Sequence, residues 1–147
     1  MLKGIDPLLS ADLLWVLAAM GHGDDLALVD ANHPAERIAR ATASGRLVRL
    51  PGVSVARVAR AILSVLPIDS FEPHPLRRME VVGDPAALPP PQREVLALLG
   101  PGGAMQGIGR FAFYAAAEKS FAVVQAGDPR PYGCFLLRKG VIAGEPG

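Results

Sequence analysis

Cysteine is almost absent: the chain's 147 residues include one, Cys134. An intrachain disulfide is excluded, and so sparing a use of thiols fits a reducing compartment, the cytoplasm. Charge imbalance is absent as well. Fifteen Lys and Arg against 14 Asp and Glu leave a formal net charge of +1, which argues against nucleic-acid or membrane-surface binding driven by bulk charge. No apolar run is long enough to span a bilayer, because the longest, Leu8 to Met20, is broken by Ser10 and Asp12. The start lacks the basic residues and apolar block of a signal peptide, so a soluble, cytoplasmic chain is expected. His22, His33 and His74 form no His-x-x-x-His pair and Cys134 has no Cys-x-x-Cys mate, so neither a metal nor any cofactor is expected. Repeats, low-complexity stretches and internal boundaries are missing too, and one domain over residues 1–147 is expected.

What is present is an apolar excess. Hydrophobic residues make up 50% of the sequence, high for a chain that must leave much of its surface exposed. The surplus points to packing against further copies, a homo-oligomer. The apolar residues follow alternating helix and strand patterns. Ser10 caps a helix carrying Leu13, Leu14 and Leu17, with Gly21 as its C′ residue. Leu26–Asp30 reads as a buried strand, Pro34 opens a second helix, and Leu47–Leu50 is a second strand. Ser54 caps a third helix that Pro67 stops. Met79–Val82 is a third strand, Gln92–Leu99 a helix, and Ile108 to Lys119 another. Phe121–Gln125 and Phe135–Leu137 are strands expected to pair as a hairpin. Alternation of this kind predicts an α/β fold, a mainly parallel sheet with helices on both faces.

The richest stretch for chemistry is Met20-Gly21-His22-Gly23-Asp24, running through the apolar strand to Asp30. Glycines on either side present His22 on a bare loop. Asp30 lies at a strand's C-terminal end, where open α/β sheets place ligands. An imidazole and a carboxylate converging on one crevice can move protons. Gly21-His22-Gly23 is no dinucleotide fingerprint: the last glycine position is Leu26, and the glycines precede the strand. Cys134 is a candidate nucleophile with His22 as base, but it stands at a strand start rather than at an activating helix N-terminus. His33 belongs to a helix start and His74 to a loop.

Several runs together resemble the family of D-ribose pyranase and L-fucose mutarotase. They are Leu2-Lys3-Gly4-Ile5, Leu8-Leu9-Ser10, Met20-Gly21-His22-Gly23-Asp24, Asp30-Ala31-Asn32 and Pro34-Ala35-Glu36. Later come Arg110-Phe111-Ala112-Phe113-Tyr114, Phe121-Ala122-Val123-Val124, Tyr132-Gly133 and Lys139-Gly140-Val141. The resemblance implies a three-layer α/β/α sandwich assembled into ring-like homo-oligomers, decamers, with sites between subunits. It implies His22 as proton donor, with Asp30, Arg110 and the triplet Tyr132-Gly133-Cys134 as monosaccharide-binding residues. Arg110 stands where the ribose branch carries His, so the fucose branch is the closer match. Two positions depart from the pattern: Cys134 replaces an Asn, and His33 replaces the fucose branch's aromatic Phe. Losing the amide removes a donor and an acceptor.

The residue types suit anomer interconversion. An acid must protonate the ring oxygen while a base takes the anomeric hydroxyl proton, and an imidazole can give and recover a proton near neutrality. Arg110 offers a fork of donors to vicinal oxygens. A water or Tyr132 are both open as the base. A sugar-binding protein without turnover, a pyranose–furanose interconverter and a cysteine hydrolase are the other readings.

Overall fold

Ser10 starts the first helix as its type suggests, its Oγ accepting the Leu13 N–H at 3.3 Å, and α1 runs Ala11–Ala19. In the computed structural model, which describes residues 1–147, β1 (Asp25–Val29), α2 (Ala35–Ala41), β2 (Leu47–Leu50) and α3 (Val55–Leu63) follow. Next come β3 (Leu76–Met79), α4 (Pro90–Leu98), β4 (Gln106–Ile108), α5 (Arg110–Glu118), β5 (Ala122–Ala126) and β6 (Phe135–Arg138). The strands form one sheet in the order β2-β5-β1-β6-β3-β4. All pairs are parallel except the two that β6 makes, with β1 and with β3.

The central strands are apolar on both faces, which is why helices cover both. Leu26 and Leu28 of β1 join Val124 of β5 and Phe135 of β6 beneath α1, α3 and α4. Ala27, Val29, Val123 and Leu136 face the other way, against Ile38 of α2 and Phe113 of α5. Each buried Val, Leu or Phe contributes about 1.5–3 kcal/mol relative to exposure. The α/β reading, with helices on both faces of a mainly parallel sheet, therefore holds. No helix is long and apolar enough to cross a membrane.

Several expectations are corrected. β5 and β6 form no hairpin: β6 crosses over β1 and inserts between β1 and β3. Gly21 does stand at C′, after the C-cap Met20, but the left-handed backbone that favours glycine there falls on Gly23, φ 86°. β3 begins at Leu76 rather than Met79. Two arginines hid it: Arg77 pairs with Asp25, and the buried Arg78 donates to the Pro85 carbonyl (2.9 Å) and to Gln92 Oε1 (3.2 Å). Their partners lie on other segments, so nothing local marks the strand as interior. The helix expected from Ile108 starts at Arg110, and Gln106–Ile108 is instead a short edge strand.

Asp128, in the β5–β6 connection, ties that connection to two helices. Its Oδ2 accepts the Val55 N–H at the start of α3 (3.1 Å), and Arg130 donates to both its oxygens (2.9 and 2.8 Å). Arg130 also forks onto Glu94 of α4. The Arg130 guanidinium holds the Asp128 carboxyl down, to about 2 from 3.8. A folded-state pKa below the unfolded one means stability that is fully present above about pH 4 and lost as pH falls toward 2. Asp128→Asn is expected to be less stable than wild type at pH 7, the gap closing near pH 2. Urea denaturation followed by circular dichroism across that window checks it. Asp6, held to about 2 by Arg57, keeps some acid slope in the variant; a gap unchanged down to pH 2 would refute the linkage.

Candidate functional site

Because β6 runs opposite to its neighbours, its start lies beside the C-terminal ends of β1 and β3. Asp30 follows β1, Met79 ends β3, Arg110 opens α5 after β4, and Tyr132-Gly133-Cys134 leads into β6. These segments meet around a cavity of about 290 Å³ that also takes in Asn32, His33 and Tyr114. Sheets of this kind place ligands at such a point, where neighbouring connections part.

Asp30 is the buried centre of this cavity, 2% exposed. Its Oδ1 accepts the Asn32 N–H (2.8 Å), and its Oδ2 accepts the Gly133 N–H (2.9 Å) and faces Cys134 Sγ at 3.5 Å. Burial pushes its pKa up despite these bonds. A carboxylate has about four acceptor positions, so one remains for a ligand. Gly133 suits its place because a Cβ there would sit 3.2 Å from the Asp30 Cβ and 3.3 Å from Val55 Cγ1. The Ala31 N–H donates to the Asp128 carbonyl (2.9 Å) and the Asn32 side-chain Nδ2 to the Pro129 carbonyl (3.0 Å), and both bonds brace the same loop.

Tyr132 holds a left-handed backbone, φ 63°, unusual for a residue with a Cβ. Two bonds secure it: Gln92 Nε2 donates to its carbonyl (2.9 Å) and the Val82 N–H to its hydroxyl (3.3 Å). Gln92 is fully buried and also reaches the Met79 carbonyl at 2.7 Å. Arg110 is exposed, its Nε donating to the Tyr114 hydroxyl at 3.4 Å, and most of its guanidinium fork remains free.

Cys134 is buried, and burial pushes its thiol well above its ordinary value. A protonated thiol is a poor nucleophile, which counts against the cysteine-hydrolase reading. His33 lies within the cavity's wall rather than serving only as a helix start. Its Nδ1 is 3.8 Å from Cys134 Sγ and its ring is edge-on to Phe113. Burial, then the charge of Arg37, pushes it down to about 4, so it is neutral at pH 7.

His22 lies elsewhere. It sits between α1 and β1, at the opposite end of β1 from Asp30. Five strand residues separate the two ends, about 17 Å at roughly 3.3 Å per residue. One chain therefore brings Asp30, Arg110, Tyr132, Gly133 and Cys134 together but leaves His22 out, so the single crevice expected for His22 and Asp30 is not built within one copy. His22 Nε2 instead meets Asp69 Oδ1 at 3.0 Å. Sequence reasoning missed His33, Gln92 and Asp69 as members of either cluster. A lone Asp two residues after Pro67 and a Gln in a Pro-led helix carry no local signal of what they will touch.

Comparison with known proteins decides the kinship. The model of the RbsD / FucU transport protein family matches residues 3–142. The chain belongs to this family. A fucose mutarotase of Bos taurus is 39% identical to it, over 97% of this chain and 95% of the relative. Among solved structures, protein Atu2016 superposes with a TM-score of 0.92 at 49% identity, covering 97% of each chain. The fucose mutarotase of Streptococcus pneumoniae in complex with L-fucose superposes with a TM-score of 0.85 at 32% identity, covering 97% of this chain and all of that one. The resemblance read in the sequence is thus borne out over nearly its whole length. The RbsD / FucU fold is thus shared over 97% of this chain in both superpositions.

Proposed function

We propose that this chain is a monosaccharide mutarotase, an isomerase that interconverts the α and β anomers of L-fucose. The observation that carries the reading is the cavity at the strand ends, polar at Asp30, Arg110 and Tyr132, in a chain 39% identical to a fucose mutarotase. In the reaction an acid protonates the ring oxygen while a base takes the anomeric hydroxyl proton. The C1–O5 bond breaks, the aldehyde turns, and the ring closes on its other face with the proton transfers reversed. Asp30 accepts from sugar hydroxyls, Arg110 donates to vicinal oxygens, and the Gly133-Cys134 backbone shapes the floor. No cofactor enters.

The acid is His22 of a neighbouring copy. Within one chain the cavity's own imidazole, His33, is held at about 4 and is a poor proton donor near neutrality. His22 stands on an exposed loop at the far end of β1, free to enter another copy's cavity. A cytoplasmic homo-oligomer with shared sites follows, a ring of ten copies by kinship.

Saturation-transfer NMR on L-fucose, D-ribose, D-galactose and L-rhamnose tests the activity. Exchange between the α and β signals of fucose should rise well above the buffer rate and exceed that of the other sugars. Binding with exchange at the buffer rate would favour a sugar-binding protein without turnover, a reading to which Cys134 in place of an amide lends itself. Conversion confined to ribose pyranose and furanose forms would move the chain to the other branch.

A further inference from the structure

Tyr132 stands in the cavity wall on a backbone conformation that its side chain disfavours, φ 63°. The turn that carries it is gripped twice by α4. Glu94 takes the fork of Arg130, and two residues earlier Gln92 Nε2 donates to the Tyr132 carbonyl at 2.9 Å. The same nitrogen donates to the carbonyl of Met79, at the end of β3, at 2.7 Å. Gln92 Oε1 in turn accepts from Arg78 Nη1 at 3.2 Å, and Arg78 is anchored on the Pro85 carbonyl at 2.9 Å. A guanidinium only donates, so the amide oxygen must face Arg78 and both amide protons must face the two carbonyls. Gln92 is fully buried and takes no part in lining the cavity, whereas Met79 and Tyr132 both line it.

We propose that Gln92 is a positioning residue for Tyr132: from behind the cavity it holds the left-handed turn that presents the phenol to the sugar. This rests on the mutarotase reading of the preceding section. The Tyr132 hydroxyl accepts the Val82 N–H at 3.3 Å, which leaves its own proton free for a sugar oxygen. Tyr132 is therefore fixed at two points, its carbonyl by Gln92 and its hydroxyl by Val82. Without Gln92 the carbonyl loses its donor, and the turn relaxes toward negative φ and carries the phenol away. Arg78 acts one step further back, by setting which way round the amide sits. A misplacement of about 1 Å costs on the order of 10²-fold in rate, so a residue that never touches the sugar governs turnover.

The test is a double-mutant cycle on the full chain, with Gln92→Met, Tyr132→Gly and the two combined. Glycine takes a positive φ without strain, so Tyr132→Gly removes the phenol and leaves the turn folded. Gln92→Met removes both amide donors and should lower kcat/KM for fucose anomer exchange by about 10–100-fold. In the Tyr132→Gly background the same change should cost less than about twofold, because the group it positions is already gone. A Gln92 that merely supports the fold would cost as much in either background. Gln92→Glu keeps the length and the Arg78 partner but has no amide proton to give. It should lose activity as Gln92→Met does, and it carries the cycle if Gln92→Met fails to fold. Crystal structures of the variants give a readout that needs no sugar: Tyr132 should leave its left-handed φ, and its hydroxyl should part from the Val82 N–H. Equal losses in both backgrounds, or Tyr132 unmoved in the variant structures, would overturn the assignment. Wild type that leaves fucose exchange at the buffer rate would sink the mutarotase reading instead, and the variant structures would still decide whether Gln92 holds Tyr132.

Discussion

His22→Ala is expected to lower fucose anomer exchange by roughly 10²–10⁴-fold, the usual cost of removing a positioned acid–base group, while leaving the fold intact. The side chain is half exposed, meets Asp69 through Nε2 and lies beside the Phe71 ring. Asp69 keeps its two backbone donors in the variant, so melting should stay close to wild type. The stronger form of the experiment mixes two dead proteins. His22→Ala and Arg110→Ala lesion opposite ends of the sheet, so in a shared-site assembly some cavities of the reassembled mixture receive an intact Arg110 from one copy and an intact His22 from the other. Partial activity should return. A mixture that stays inactive after verified subunit exchange would mean that sites are self-contained, and near-normal turnover by His22→Ala alone would move the acid to another residue.

Asp30→Ala is expected to be the other severe lesion, and unlike the first it should damage both function and stability. In the proposed reaction the carboxylate accepts from sugar hydroxyls, and in the fold it is the acceptor that joins β1's exit to β6's entry. Removing it strands the buried Gly133 N–H, whose only acceptor is Asp30 Oδ2. An unsatisfied buried donor costs about 1–3 kcal/mol. A lost hydrogen bond to a charged group, about 1.5–3 kcal/mol, corresponds to roughly 10–100-fold in kcat/KM for the sugar. Asp30→Asn should recover part of the stability and little of the activity, because one oxygen becomes an NH₂ facing a donor. Denaturation midpoints and anomer exchange, measured on both variants, separate the two roles. Equal stability of Asp30→Ala and wild type would show that the carboxylate does not hold the two strands together.

The elements legible in the sequence were those whose signals are local. Ser10 and Ser54 cap helices through bonds three residues on, and Leu47–Leu50 is bounded by Gly45 and Pro51-Gly52, so its limits could be read directly. β3 was misplaced because Arg77 and Arg78 look like surface residues until Asp25, Pro85 and Gln92 are brought to them. β4 escaped notice because three residues with a central glycine form a strand only beside β3. The candidate site residues came from the resemblance, and the structure places Asp30, Arg110 and Tyr132 around one cavity. Gln92 and Asp69 were invisible because each is given its role by a partner 40 and 47 residues away respectively.

β6 is the last strand along the chain and one of the innermost in the sheet. Until it is synthesised and inserted, β1 and β3 each present a row of unpaired backbone groups to one another across a gap. Tyr132-Gly133-Cys134 enters the cavity on the same strand, so pocket and sheet are completed by a single late event. Pairing β6 with β1 closes a loop of about a hundred residues, which favours slow folding over a long-lived open-edged intermediate. A nascent chain still short of Phe135 cannot bind sugar through this cavity, and its two open edges make it a natural client for chaperones.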